Sequence, residues 1–158
     1  MINLLTLQYQ HIKESRAVVF RYLRDEVKQD ILKNVDTFND KNIVYMLVHV
    51  ANTYVAWAGN FALSMQKPYY EESDFGTLEQ LQLMFEEVNQ VMEQFISKFA
   101  EDPGSAVKGY KWADKYIETD AYGIFTHVIT HEFHHKGQMM TMSRLLGHVP
   151  PDTDVMRF

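Results

Sequence analysis

From Asn42 to Gln66 the chain carries no Asp, Glu, Lys or Arg. A stretch this long and uncharged belongs either in a bilayer, which it is long enough to span, or in a protein interior. His49, Asn52, Thr53 and Asn60 decide between the two. Their spacings of three, four and seven place them near one helix face. The expectation is a buried helix that carries a polar site, not a membrane span.

Four segments carry a helical period. The first runs from about Asn3 to Lys33, with Leu5, Tyr9, Ile12, Val19, Leu23 and Val27 as its apolar stripe and charges on the other side. The uncharged helix follows, from about Lys41 to Gln66, with Asn39 or Asp40 as cap and Pro68 beyond its end. The third opens on Thr77 and Gln80 at capping-box spacing and continues to about Ala100 through Leu78, Leu81, Phe85, Val88, Met92, Phe95 and Phe99. A long connection from Glu101 to Glu118 leads to the fourth, Asp120 to Leu146, with Thr119 or Asp120 as N-cap and Gly147 just past its end. No segment reads as strand alternation between turn signals. The predicted fold class is all-α, a four-helix bundle, with residues 1–158 as a single domain.

Composition removes several functions. Net charge is −6 and the basic residues are scattered, so nucleic acid is not an expected partner. There is no cysteine, which excludes a disulfide framework, a thiolate metal site and a cysteine nucleophile. The N-terminus has no basic leader, and the expected location is the cytoplasm.

Three of the seven histidines fall within "THEFHHKGQ", residues 130–138. The inward seam of the fourth helix reads Ile124, Val128, His131, His135, Gln138, Met142, Leu145. Apolar residues hold its ends, and His131 and His135 stand where a bundle normally places leucine. At i and i+4 their imidazoles can converge on one cation. His127 and His134 lie one step off the seam, at its flank or outside. His49, deep in the uncharged helix, is the candidate third ligand. Leaving three imidazoles buried and unpaired costs of order 1–3 kcal/mol each, whereas one metal satisfies all three. The predicted metal ligands are His49, His131 and His135. Three imidazoles leave coordination positions open, as in catalytic sites, and suit Zn, Ni, Fe or Cu.

The segment also contains H-E-x-x-H, the zinc-protease pattern. The extended protease form needs glycine at 138 and histidine at 141, where this chain has Gln138 and Thr141. Few carboxylates follow His135 to supply a third ligand, and no predicted strand would hold a peptide. Glu132 is then a salt-bridging or hydrogen-bonding residue flanking the seam, and its rival role is a base or a hydrogen-bond partner that orients an imidazole. Trp57, Trp112 and Met139, Met140 and Met142 read as packing residues.

"LVHVANTYVAW", "THEFHHKGQ" and the ending "RLLGHVPPDTD" resemble the DinB/YfiT-like superfamily of metalloenzymes across nearly the whole chain. The resemblance implies a bundle with an atypical helix order and a crossover connection. It implies a metal site at His49, His131 and His135. It also implies a homodimer, and a damage-inducible family in which some members transfer low-molecular-weight thiols such as bacillithiol, mycothiol or glutathione. Lys136 stands where arginine is common, which affects any bidentate contact there.

The expected function is metal-dependent S-transfer from such a thiol to a small electrophile. With no cysteine in the chain, the nucleophile comes from outside. Asn52, Thr53 and Gln138 are candidates to line the pocket. The alternatives are a metal-dependent hydrolase, a non-catalytic metal-binding stress-associated bundle and a metal-free interaction bundle.

Overall fold

The computed structural model describes residues 3–157. Met1, Ile2 and Phe158, the ends of the expected domain, lie outside the described residues. The four α-helices are α1 (Leu4–Tyr22), α2 (Ile43–Tyr54), α3 (Leu78–Phe99) and α4 (Ala121–Leu145). α1 packs against α3 and α4, and α2 packs against the same two helices. Every stripe residue predicted for the first and third segments is buried, and these residues join one apolar cluster with the buried faces of α2 and α4. Removing that surface from water is the main source of stability. Among the described residues no helix is long and apolar enough to cross a membrane.

Helix ends follow local chemistry. The Asn3 side chain accepts from Leu5 N–H at the start of α1. The capping box at Thr77 and Gln80 forms in both directions. Thr77→Ala is expected to lower stability by about 1 kcal/mol. A shift in the urea midpoint at constant slope would register it, and an unchanged midpoint would show the cap to be idle. Asp120 caps α4 by accepting from Gly123 N–H at 2.6 Å. α4 stops at a Schellman motif, with His148 N–H on the Ser143 carbonyl, Gly147 N–H on the Arg144 carbonyl, and Gly147 at φ +94°.

Four expectations need correction. The cap of α2 is Asn42, not Asn39 or Asp40, because those two adopt left-handed backbone in the preceding turn while Asn42 is extended and accepts from Tyr45 N–H. The first and second segments are not uninterrupted α-helix. α1 passes into a π-helical turn at Leu23–Val27 and a 3-10 turn at Lys28–Leu32, and α2 passes into a π-helical segment at Val55–Ala62. Leu145, assigned to the inward seam, is 57% exposed, as the last residue before the motif that ends the helix.

The largest correction concerns the connection after α3. It contains an antiparallel hairpin of β1 (Ala106–Trp112) and β2 (Lys115–Asp120), with an irregularity between Tyr110 and Trp112. Its strands carry β-branched and aromatic residues, but only Val107 among them is buried. No apolar face alternates along them, so the periodic signal is missing. β1 leans on the π-helical segment, where Gly109 approaches Phe61.

Polar contacts close the structure at two places. Lys136 is buried and donates to Ser15 Oγ at 2.9 Å and to the Thr153 carbonyl. Ser15 Oγ–H donates to that same carbonyl, which ties the C-terminal tail to α1 and α4. Lys136 thus holds a carbonyl and a hydroxyl as a point charge, with no bidentate contact. Burial pushes its ammonium down to about 8. The second place is an ion pair, Arg16 with Glu132, deep between α1 and α4.

Candidate metal centre

α2 and α4 pack face to face, and the uncharged face of one meets the histidine seam of the other. This brings His49, His131 and His135 together. Each offers a ligand atom within 4.8 Å of the others. Their ring centroids stand 5.0 Å (His49 to His131), 4.7 Å (His49 to His135) and 4.4 Å (His131 to His135) apart. All three are half-buried. His127 and His134, placed at the flank by the seam, are exposed.

The hydrogen bonds orient the nitrogens. Gln138 presents its carboxamide oxygen 2.6 Å from His135 Nδ1, so Nδ1 carries the proton and donates. His135 Nε2 is therefore an unprotonated lone pair, and it lies 3.3 Å from His131 Nε2. Two nitrogens bound about 2.0–2.1 Å from one tetrahedral ion stand about 3.3–3.4 Å apart, so this spacing fits a shared cation. Gln138 turns its amide nitrogen to His134 Nε2 at 3.3 Å, which fixes the carboxamide from both ends. His131 Nδ1 is buried with no hydrogen-bond partner. The donor set, three imidazoles with converging lone pairs, is one that divalent transition metals accept.

Electrostatics keep those lone pairs free. Burial, reinforced by His135 and His49, lowers His131 to about 4. Burial also lowers His49, and it lowers His135 against the opposing bond to Gln138. All three imidazoles are thus neutral at pH 7, the form that binds metal.

The remaining predicted residues divide by role. Asn52 is committed to the connector: its side chain accepts from Tyr70 N–H and donates to the Tyr70 carbonyl. Thr53 donates to the His49 carbonyl one turn back. Gln138 alone among these three bonds to the imidazole of a candidate ligand. Glu132, one residue from His131, points away into the core, where Arg16 takes both its oxygens at 2.7 Å and Tyr54 O–H donates at 2.5 Å. Three buried donors hold it there, away from the histidines, so it does not stand where the base of an H-E-x-x-H site would be needed.

The family model described as the DinB family matches residues 1–158. The chain belongs to the DinB family. A search of curated proteins found no match. In this DinB-family protein the histidine cluster has neighbours that periodicity did not single out. Tyr45 stacks on His49 at 6.1 Å with its ring nearly parallel. Trp57 packs on His127 at 5.0 Å, and His127 on His131 at 5.7 Å. Trp57 also meets Trp112 of the hairpin at 6.4 Å, with the Lys111 ammonium 4.4 Å from the Trp57 ring. The sequence signal for this wall was the pair of tryptophans, read there as packing alone.

Proposed function

We propose that His49, His131 and His135 hold one divalent transition metal, zinc or nickel in first place, and that this DinB-family protein uses it to transfer a low-molecular-weight thiol to a small electrophile. The observation that carries this reading is the convergence of three neutral imidazoles from α2 and α4, with Nε2 atoms of His131 and His135 at tetrahedral ligand spacing. No fourth protein ligand joins them among the described residues, which leaves positions open for a substrate. When bound, a divalent cation supplies a lowered thiol pKa and so a thiolate at neutral pH.

The chain's own residues have separable parts in this. Gln138 fixes the tautomer of His135 so that its Nε2 faces the centre. Tyr45 holds the plane of His49 by stacking. Trp57 and His127 form a wall that limits approach from one side. The absence of cysteine requires the sulfur to come from the co-substrate. The reaction joins that sulfur to carbon of the electrophile and releases the leaving group and the thiol proton.

The architecture we infer is a single-domain four-helix bundle in the atypical order, working in the cytoplasm as a homodimer. The packing of α1 and α2 each against both α3 and α4 supports that order. In a simple up-and-down bundle α1 would instead pack beside α2.

Elemental analysis of purified protein should find about one metal per chain. Consumption of a thiol with a chromogenic electrophile should stop on chelation and return on metal addition. Product formed without thiol would point to a hydrolase, and metal without turnover to a non-catalytic binder. No metal, even after loading, would end the proposal.

A further inference from the structure

A cavity of about 460 Å³ lies between the π-helical segment after α2 and strand β1. Ala56, Asn60 and Phe61 form one wall, and Lys108, Gly109 and Lys111 the other. Two lysines and no carboxylate line it, in a chain whose net charge is −6. Lys108 has a partner outside the cavity, Glu118 at 3.6 Å. Among the described residues no carboxylate stands within ion-pair distance of Lys111. Its ammonium sits between two rings, 4.4 Å from Trp57 and 4.7 Å from Trp112. Burial there lowers its pKa from the ordinary lysine value.

The backbone around the cavity is unusual as well. The wall from α2 is π-helical, a form concentrated at functional sites. The segment that follows places Ser64 and Gln66, both lining residues, at φ +56°. Left-handed backbone at non-glycine residues persists only where the surroundings enforce it. Asn60 does so by pairing with both backbone groups of Lys67, and Met65 N–H bonds to the Gly59 carbonyl. Trp57 stands between Lys111 of the cavity wall and His127, which packs in turn on His131.

We propose that this cavity binds the anionic end of a small organic substrate, with Lys111 as its principal charge partner and Trp57 as the apolar surface along which the molecule reaches the histidine centre. The inference rests on the metal-dependent reading of that centre and adds the substrate class: a molecule with a metal-seeking group such as a thiol at one end and a carboxylate at the other. A cavity of this size suits a small molecule. A lysine rather than an arginine suits a single point contact with an anion.

Trp57 and Trp112 are the chain's two tryptophans, so intrinsic fluorescence reads this site directly. Zinc-loaded protein is titrated with mercaptohexanoate and with mercaptohexanol, and metal content is measured on the same samples. The acid should bind about tenfold more tightly than the alcohol. Lys111→Met should erase that preference with metal content unchanged, and Lys111→Arg should keep most of it. Equal affinity for acid and alcohol in the wild-type protein, or a preference that survives in Lys111→Met, would overturn the proposal. Hexanoate and hexanol, which lack the thiol, are titrated in parallel against metal-free protein. If zinc does not load, the histidine reading fails, and this second pair alone decides the anion cavity: preference for hexanoate that depends on Lys111 upholds it, and equal binding overturns it.

Discussion

Glu132→Ala is expected to cost about 3–5 kcal/mol of stability, the largest loss from a single side chain outside the apolar core. Glu132 is buried, and three donors meet it: Nε and Nη2 of Arg16 at 2.7 Å and the Tyr54 hydroxyl at 2.5 Å. Arg16 reaches further, to Asn89 Oδ1 at 2.8 Å, and lies 4.6 Å from the centre of the Phe85 ring. The Tyr9 hydroxyl donates to the same Asn89 oxygen at 2.9 Å. One polar cluster therefore ties all four helices together. Burial opposes the Arg16 charge, and Glu132 with Tyr9 and Tyr54 together more than offset it, so Arg16 is held well above its ordinary value. Truncating Glu132 leaves a guanidinium in the interior with no counter-charge and strips the Tyr54 hydroxyl of its acceptor. Thermal melting should shift down by about 6–20 °C for a chain of this size. Glu132→Gln keeps the shape and one acceptor, so it should cost less and leave metal content unchanged. A Glu132→Ala protein that unfolds at the wild-type urea concentration would show that the ion pair contributes nothing.

That cluster also marks where sequence reading stops. The apolar stripes of the first and third segments are legible because each is a property of one helix, repeated every three or four residues. The caps at Thr77 and Asp120 are legible because their chemistry is local. His131 and His135 stand out because imidazoles occupy a seam otherwise filled by Ile124, Val128 and Met142, all buried. His49 stands out because an uncharged helix has little reason to carry it. The pairing of Arg16 with Glu132 carries no such mark. Each is a charge on an amphipathic helix, and the partner that allows its burial is 116 residues away. Arg16 falls in the gap of the first stripe, between Ile12 and Val19, and it is buried. The hairpin escapes for the opposite reason. Its rings are mostly outside, with Tyr110 70% exposed, so no alternating apolar face announces it. The π-helical segment after α2 is invisible because its residues read equally well as α-helix. These last two elements build the lysine-lined cavity and supply Trp57, Lys111 and Trp112, so the surroundings of His127 are the least predictable part of the chain.

His49→Ala should lower metal affinity by about 10²–10³-fold. A structural zinc site with four ligands is worth about 10–16 kcal/mol, so one ligand carries roughly 3–4. His49 is the informative choice because it is the only one of the three on α2. Losing it leaves the i, i+4 pair of α4 intact, so a site built on that pair alone would survive. The metal-free protein provides the reference for pH. Burial, then His135 and His49, sets His131 at about 4 in the folded state, against about 6.5 in the unfolded chain. The unfolded chain therefore takes up this proton more readily. The contribution of His131 to stability is complete above about pH 6.5 and is lost as pH falls toward about 4. Metal binding adds stability to the folded state only, and protons compete for the same nitrogens. The gap in melting temperature between loaded and metal-free protein should be wide at pH 7.5 and close across that acid window. In His49→Ala the gap should be small at every pH, while the metal-free variant melts near the metal-free wild type. A wild-type gap of zero at pH 7.5 would remove the metal from the account, and undiminished affinity in His49→Ala would remove α2 from the site.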